Sequence, residues 1–534
     1  MRYARYGPLD DRVVAEGDQG FRAIDSYLES TTLTGGQVAV SENMRLEGDV
    51  ATVRKGVEFK AGSVSLTYSA GTEEVFATGV FSDAETAKEY VAAATKDKMI
   101  LWNDENPNGI DIAYPTGEVV ASGDVVSFCQ SLEKLILFRG ESKTPLEWDG
   151  NQSNDFVVKE NASPGAGSIE CPNTDYGLFF RNRLIVPQPS DSKFTVIMSD
   201  LLDTDSFTTA DSRFRITKGS ADYLVGLFPY MEDQCLAFFR NSIHLVNNVA
   251  TTSASNVYEI TRQYGCVARK SIAASGPQIY FLSDSGVMVM QQGLDPAKGL
   301  GVAISKVSGE AIPLSRPIQD QFADVNFAAA DKAVGIVFDN KYFLAAPTGS
   351  ATDNDKVFVY DILNGGWSSV DDFPTGFVID DFVTVLHGSN PQKRRLFACN
   401  DKGWHLMEEA ATDVTGTIGD TSTTSTAVTA KLTTRSYTFG DLAIKTWRRG
   451  QLGVTVADGD AFTATINTVD PDSSTVVHTE SATADEEKIL RFSAARARGH
   501  SCNLELNVTA GQPVFRHVVI EATGVGLNTV REVA

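Results

Sequence analysis

The side chains best placed to do chemistry in this chain are carboxylates that come in close pairs. Asp203/Asp205, Asp371/Asp372 and Asp380/Asp381 are candidates for the two-carboxylate chemistry of glycoside hydrolysis. Each pair falls at the end of an apolar run or in a turn, where Asp is favoured because its side chain bonds the adjacent backbone. The turn reading is therefore preferred for all three. Asp353-Asn354-Asp355, Asp458-Gly459-Asp460 and the stretch Asn103–Asp111 offer oxygen ligands for calcium, but none follows the EF-hand pattern, and no metal is expected. The histidines (His244, His387, His405, His478, His500, His517) are scattered, with no two at ligand spacing on one element. The chain contains no GxGxxG, no GxxxxGK[ST], no GxSxG and no HExxH. No catalytic residue and no cofactor is expected, and the chain reads as a protein without enzymatic activity.

The cysteines point the same way. Cys129, Cys171, Cys235, Cys266, Cys399 and Cys502 include no CxxC pair, so neither a zinc knuckle nor a dithiol redox site is indicated. Cys129, Cys235, Cys399 and Cys502 lie within or beside apolar, strand-like runs, which suggests reduced core thiols and folding in a cytoplasm. The N-terminal MRYARYGPLDDRVV lacks the apolar segment of a secretion signal. No uninterrupted apolar run approaches the ~18 residues of a membrane span. Stable membrane insertion is not expected.

Charge narrows the partners. The formal net charge is −23. Residues 411–534 hold 11 Lys/Arg against 14 Asp/Glu, or −3, which leaves −20 on the first 410 residues. Such a surface repels a phosphate backbone, whose binding depends on Lys/Arg displacing counterions. Tight or sequence-reading DNA binding is not expected, whereas an acidic wall along which DNA slides is compatible. Arg448-Arg449, following Lys445-Thr446-Trp447, is the clearest basic patch of the C-terminal part and reads as a solvated strand end.

At 534 residues the chain exceeds one ordinary core, and two or three domains are expected. The segment 82-SDAETAKEYVAAATKD-97 predicts a helix, with Ser82 as N-cap and Glu85 completing a capping box. Elsewhere, short runs rich in Val, Ile, Phe, Tyr and Thr alternate with Gly, Asn, Asp and Pro, the all-β signature. One pattern recurs: a polar corner followed by about four mostly apolar residues. It appears in DKMILW, EKLILF, NRLIVP, DQCLAFF, PQIYFL, NKYFLA and RRLFAC, with corner residues Lys98, Lys134, Arg183, Gln234, Gln278, Lys341 and Arg395. Their steps of 36, 49, 51, 44, 63 and 54 residues suit four-stranded propeller blades.

The strand after each corner often ends in a tight turn and a second strand carrying an aromatic. Trp148, Trp367 and Trp404 are the expected blade-packing residues. In VFVYDILNGGWSSVDDF (357–373), Asp361 should fix the turn of an outer hairpin and Trp367 should pack the blade edge. The expected fold is all-β: an extended N-terminal arm (1–60), an irregular β-propeller of about seven blades (61–410), and a C-terminal antiparallel β-sandwich (411–534). Residues 411–428, rich in Thr, Ser and Gly, read as a linker or edge strand. Six alternating strands follow, at 430–440, 444–456, 461–469, 475–480, 503–510 and 514–524.

Two sets of motifs, taken in order, carry a resemblance. In 21–59, Asn43 and Arg45 lie on a strand, a Gly48 corner follows, and then Arg54-Lys55-Gly56. Further on come Pro145-Leu146-Glu147-Trp148-Asp149-Gly150, Asn182-Arg183-Leu184 leading to Ser199-Asp200-Leu201 and Asp203–Phe207, Gly265-Cys266-Val267-Ala268-Arg269-Lys270-Ser271, and Ser283-Asp284-Ser285-Gly286-Val287. Val359-Tyr360-Asp361 with Gly366-Trp367-Ser368, and Tyr437-Thr438-Phe439-Gly440 with Lys445, complete the series. Each motif is short, and the specificity lies in their order across most of the chain. The chain resembles the β-propeller tail nozzle or tail-hub (packaged-DNA-stabilising) proteins of short-tailed bacteriophages, whose N-terminal segment has an Asn-x-Arg followed by a basic-Gly turn.

The resemblance implies a structural virion protein, assembled in the host cytoplasm and located in the tail. It would form a homohexameric ring below the portal and adaptor proteins, contacting tail fibre or distal tail proteins. The ring would retain packaged DNA and then let double-stranded DNA pass without sequence-specific binding. Asn43, Arg45, Arg54, Lys55 and Gly56 would then belong to an assembly arm contacting a neighbouring subunit or the adaptor. Two other readings stand beside it. A glycan-binding or glycan-cleaving propeller (lectin or glycosidase) requires convergent carboxylates and stacked aromatics; a receptor-binding fibre requires a repetitive shaft, which this sequence lacks.

Overall fold

The computed structural model describes residues 14–64, 74–159, 170–207, 213–216, 221–231, 233–249, 256–295, 299–304, 306–307, 310–388, 392–440, 444–494 and 497–523. Nearly all regular structure is β; among the described residues the α-helical content is a single turn, Gln319–Phe322. The helix expected over 82–97 is instead a hairpin. Ala77–Asp83 pairs antiparallel with Lys88–Ala94, and Asp83 accepts bonds from the backbone of Glu85 (3.0 Å) and Thr86 (3.3 Å) and from the Thr86 hydroxyl (2.6 Å). The reason is burial on two sides: Tyr90, Ala92 and Ala94 face one core, Val91 and Ala93 another. A period of two with both faces covered overrides the helical preference of an Ala-rich run.

The same two-sidedness organises a six-bladed β-propeller arrangement. Ala77–Asp83, Lys88–Ala94, Lys98–Asn103 and Asn106–Ala113 form the first four-stranded antiparallel sheet, each strand pairing with the next. Four more sheets of this kind follow, spanning residues 127–158, 178–215, 224–261 and 273–304. The last blade takes Asp381–His387, Lys393–Asn400 and Gly403–Ala410 from one end of the chain and Gly56–Phe59 from the other. Alternate residues of one strand reach different neighbours. Leu135 and Leu137 pack towards the first blade and Ile136 and Phe138 towards the third; Leu236 and Phe238 join the fifth, Cys235 and Ala237 the third. The first and last blades meet through Val91, Ala93, Ile100 and Trp102 against Phe397, Cys399, Trp404 and Leu406. A four-stranded meander (Val334–Phe338, Lys341–Ala346, Lys356–Asp361, Gly366–Asp372) stands between the fifth blade and the last.

Residues 14–59, expected as an arm standing apart, are built into the chain's own sheets. Gln37–Glu42 pairs with Ala430–Thr434 and bridges to Val370 of the meander. Val50–Val53 pairs with Val514–Thr523, as does Val14–Asp18. The cause is apolar content: Val38, Met44, Leu46, Ala51 and Val53 are buried, and an arm in solvent would leave them wet. In the C-terminal part, one sheet carries Lys445–Val456 between Val514–Thr523 and Glu486–Ser493, and the other carries Ser501–Ala510 between Ala430–Thr434 and Ala461–Val469. Their residues share one core, in which Phe462 and Phe515 meet edge to face at 5.1 Å. Glu486–Ser493 is a strand that the sequence pattern does not predict, and 411–428, read as a linker or edge strand, is a hairpin of Thr412–Gly416 and Thr423–Ala427 with the latter at the sheet edge.

Candidate functional site

The residues singled out near the N-terminus converge on a buried ionic junction. Asn43 is held in the left-handed region (φ 55°), a conformation Asn tolerates better than most residues. Its backbone N–H donates to Val370 O (3.2 Å) and its carbonyl accepts from Arg54 (2.8 Å). Its side-chain Oδ1 accepts from Arg54 Nε (2.8 Å) and from the Asp372 N–H (2.9 Å), while Nδ2 donates to Thr429 O (2.8 Å). Arg54 then spends its remaining donors on both oxygens of Asp413 (2.9 and 2.8 Å) and on the carbonyls of Lys55 (3.1 Å) and Asp372 (2.9 Å). All five guanidinium N–H groups are thereby used, and the Phe373 ring covers the group at 4.4 Å.

Arg45 makes a second fork, onto Asp371 at 2.9 and 2.7 Å, and also pairs with Glu408. Burial disfavours its charge, but the Asp371 and Glu408 carboxylates outweigh that and raise its pKa. Side-chain exposure is 5% for Arg45, 0% for Asp371, 1% for Arg54 and 3% for Asp413. The junction therefore holds four stretches together: 43–56, the outer strand of the meander, the third strand of the last blade and the hairpin at 412–416. Such pairs add little net stability over apolar packing, but removing one partner strands a charge. Gly56 has the same logic in steric form, since a Cβ there would lie 2.1 Å from Thr412 O.

Of the acidic pairs considered for catalysis, Asp203, Asp205, Asp371, Asp372 and Asp381 are each engaged through the side chain. Asp203 accepts from the Asp205 N–H (3.0 Å), closing a turn. Asp205 bonds Lys134 and Lys159, each at 2.6 Å, and both lysines also pair with Glu147. Burial alone would raise the Asp205 carboxyl, but the two ammonium groups hold it down at about 2. Asp372 bonds the Phe373 N–H (3.1 Å), and Asp381 bonds Lys270 (2.7 Å). Asp380 is raised to about 6, by desolvation and then by Asp401; its neighbour Asp353 is paired with Lys332 (2.8 Å).

Of the loops considered for calcium, Asp355 caps Thr348 (2.7 and 2.8 Å) and Asp460 binds the N–H groups of Ala457 and Gln512 (2.7 and 2.8 Å). Asp111 pairs with Lys98 at 3.0 Å. No group of three or more metal-type side chains is gathered among the described residues. Lys445 is buried and donates to His500 O (3.0 Å), Arg448 bonds the Thr523 hydroxyl (2.9 Å), and Arg449 is exposed beside Glu521.

The three tryptophans are fully buried. Trp148 reaches across a blade boundary to Phe81 (4.8 Å) and Trp404 across another to Trp102 (5.7 Å). Trp367 sits against Tyr360 (5.3 Å) and donates from Nε1 to Leu314 O (2.8 Å), in the core shared with the N-terminal strands. In the same hairpin Asp361 accepts from the N–H groups of Leu363 and Asn364 (2.9 and 3.0 Å), so it is a turn residue. All six cysteines are buried and unpaired. Asp413 and Glu408 were not singled out in the sequence, and no local signal marks them, because their partners lie 359 and 363 positions away.

No protein-family model and no curated protein matches the chain. Among solved structures, the extracellular domain of BT4673 from B. thetaiotaomicron is similar with a TM-score of 0.41 at 8% identity, over 89% of this chain and 63% of that one. The chain thus spans less than two thirds of that domain. Raptor from Chaetomium thermophilum gives 0.39 at 10% identity, over 67% of this chain and 29% of that one. An exo-β-1,3-galactanase from Phanerochaete chrysosporium gives 0.23 at 8% identity, over 77% and 98%. Likeness of this degree carries no functional argument.

Proposed function

We propose that this protein is a structural subunit of a short-tailed bacteriophage tail, of the nozzle or hub type, acting as scaffold and conduit rather than as an enzyme. The observation that carries the reading is the buried junction. The Asn-x-Arg and Arg-Lys-Gly residues on which the resemblance rests are the ones that tie 43–56 to the meander, the last blade and the strand 412–416, a role in architecture. The engagement of Asp203, Asp205, Asp371, Asp372 and Asp381 by lysine, arginine or turn backbone supports the same reading. The charge of −20 on the first 410 residues suits a bore through which a polyanion passes without being trapped.

In this reading the meander of 334–372 serves as a seventh blade and the two C-terminal sheets form a β-sandwich, with portal, adaptor and distal tail proteins as neighbours. Subunit contacts then fall on surfaces other than the buried Asn43, Arg45 and Arg54 side chains. Light scattering tests the assembly: the reading predicts a species near six times 57.6 kDa, about 346 kDa. A monodisperse species at 57.6 kDa that also hydrolyses a glycan substrate would overturn it.

A further inference from the structure

One sheet of the C-terminal part presents a face that the core does not use. Lys445–Val456 lies between Val514–Thr523 and Glu486–Ser493, and register sorts its residues. Gly450 and Leu452 stand opposite Phe492 and Leu490 on the buried side; Arg449 and Gln451 stand opposite Ser493 and Arg491 on the outer side. A bulge between Trp447 and Arg449 turns Arg449 away from the side of the buried Trp447. Thr446, one residue before Trp447, pairs with Arg498 and so brings it to the outer side as well. The side chain of Arg449 is 73% exposed, Arg491 and Arg498 are exposed, and Ile489, two residues from Arg491, is 54% exposed.

The make-up of this face differs from that of a merely solvated one. Its cations are all arginine, namely Arg449, Arg491, Arg498 and Arg516, whereas Lys445 and Lys488 fall on the side of Trp447 and Leu490. Arginine beside an exposed aliphatic residue is the composition of a protein interface, from which lysine is depleted. Arg449 and Arg516 meet Glu521 (3.4 Å) and Glu487 (3.5 Å) in exposed pairs, while Arg491 and Arg498 have no ion pair among the described residues. Four arginines against two glutamates leave the face positive on a chain of −23. The two carboxylates count against a phosphate backbone as its partner. The opposite charge is carried by the chain itself, −20 on its first 410 residues. There Asp320, Asp324 and Asp331 are exposed without an ion pair among the described residues, in a segment that also exposes Phe327. Copies of such net charge repel one another, and contact is favoured where a patch of opposite sign meets the acidic surface.

We propose that this arginine face docks on the acidic propeller part of a second copy of the chain, in a head-to-tail contact. Such a contact closes into a ring if its rotation permits. The proposal rests on the tail reading only in requiring self-association, and holds for any number of copies. The test uses the full chain with Gln451→p-benzoylphenylalanine, a photo-cross-linking residue at the centre of the face, and sedimentation velocity on the charge-reversed variant Arg491→Glu with Arg498→Glu. Irradiation should give covalent dimers whose linked peptides lie within residues 1–410 of the other copy. The double variant should raise the Kd of self-association about tenfold or more at an unchanged melting temperature, since neither arginine is buried or ion-paired. Self-association unchanged in the double variant, or links confined to residues 411–534, would overturn the docking while leaving a ring intact. Dimers linked to residues 1–410 that never grow larger would uphold it and count against the ring. A chain that stays single at every concentration, or a face that retards a duplex DNA probe in place of a second copy, would also overturn it.

Discussion

Replacing Arg54 by alanine is the most informative single perturbation. The change removes five hydrogen bonds, two of them charge-assisted to Asp413, and leaves that carboxylate 3% exposed with the Val57 N–H (3.1 Å) as its remaining donor. Asn43 Oδ1 and the carbonyls of Lys55 and Asp372 lose a donor as well. Breaking one side of a buried pair costs about 3–5 kcal/mol, chiefly through the stranded charge. Asp413→Asn alone should fall in the same direction but less far, because the amide is neutral. The double variant Arg54→Met with Asp413→Leu should recover most of the loss, since it removes both charges together. Urea unfolding followed by fluorescence of the buried tryptophans reads the midpoint shift, and a cycle closed with the matching single variants Arg54→Met and Asp413→Leu gives the coupling between the two positions. A loss under about 1 kcal/mol for Arg54→Ala, or additive single and double effects, would refute the reasoning.

Three further outcomes follow from the geometry. The Asp205 carboxyl, depressed to about 2 from 3.8, contributes stability that is present above pH ~4 and lost as pH falls towards 2, at most about 2 kcal/mol. Asp205→Asn should therefore flatten the acid limb of a pH–stability curve, and parallel curves would contradict the assignment. Gly56→Ala, whose Cβ would meet backbone 2.1 Å away, should cost about 1–3 kcal/mol or more and expose the last blade to limited proteolysis; an unchanged cleavage pattern would count against strand 56–59 as its closure. The six buried thiols, with Cys129, Cys171, Cys235 and Cys266 raised to about 12 by burial, should resist a thiol reagent in the native protein and all react after denaturation.

The blades were legible because a corner followed by a short apolar strand is a local pattern. Lys134, Arg183, Gln234, Gln278 and Lys341 each open a strand, the second of its four, Lys98 opens the third strand of the first blade, and Arg395 lies in the second of the last. The residues of 82–97 misled because their spacing satisfies a capping box, while the burial of both strand faces is set by neighbouring blades. Glu486–Ser493 was invisible for the opposite reason: only Leu490 and Phe492 are buried, so its charge hides a weak alternation. The N-terminal segment showed its apolar residues but not their partners, since pairing of 38–42 with 431–434 is a long-range register. Arg45 and Arg54 were assigned to an assembly arm, because arginine is seldom buried unless paired and their partners Asp371 and Asp413 lie 326 and 359 positions away.

The central claim is that the propeller is a ring subunit with a through-channel. Class averages from negative-stain images of the purified protein, taken from the fraction whose mass is measured, test it most directly. The account predicts closed rings with a stain-filled central hole. Isolated single-subunit particles, unchanged at higher protein concentration, would contradict it.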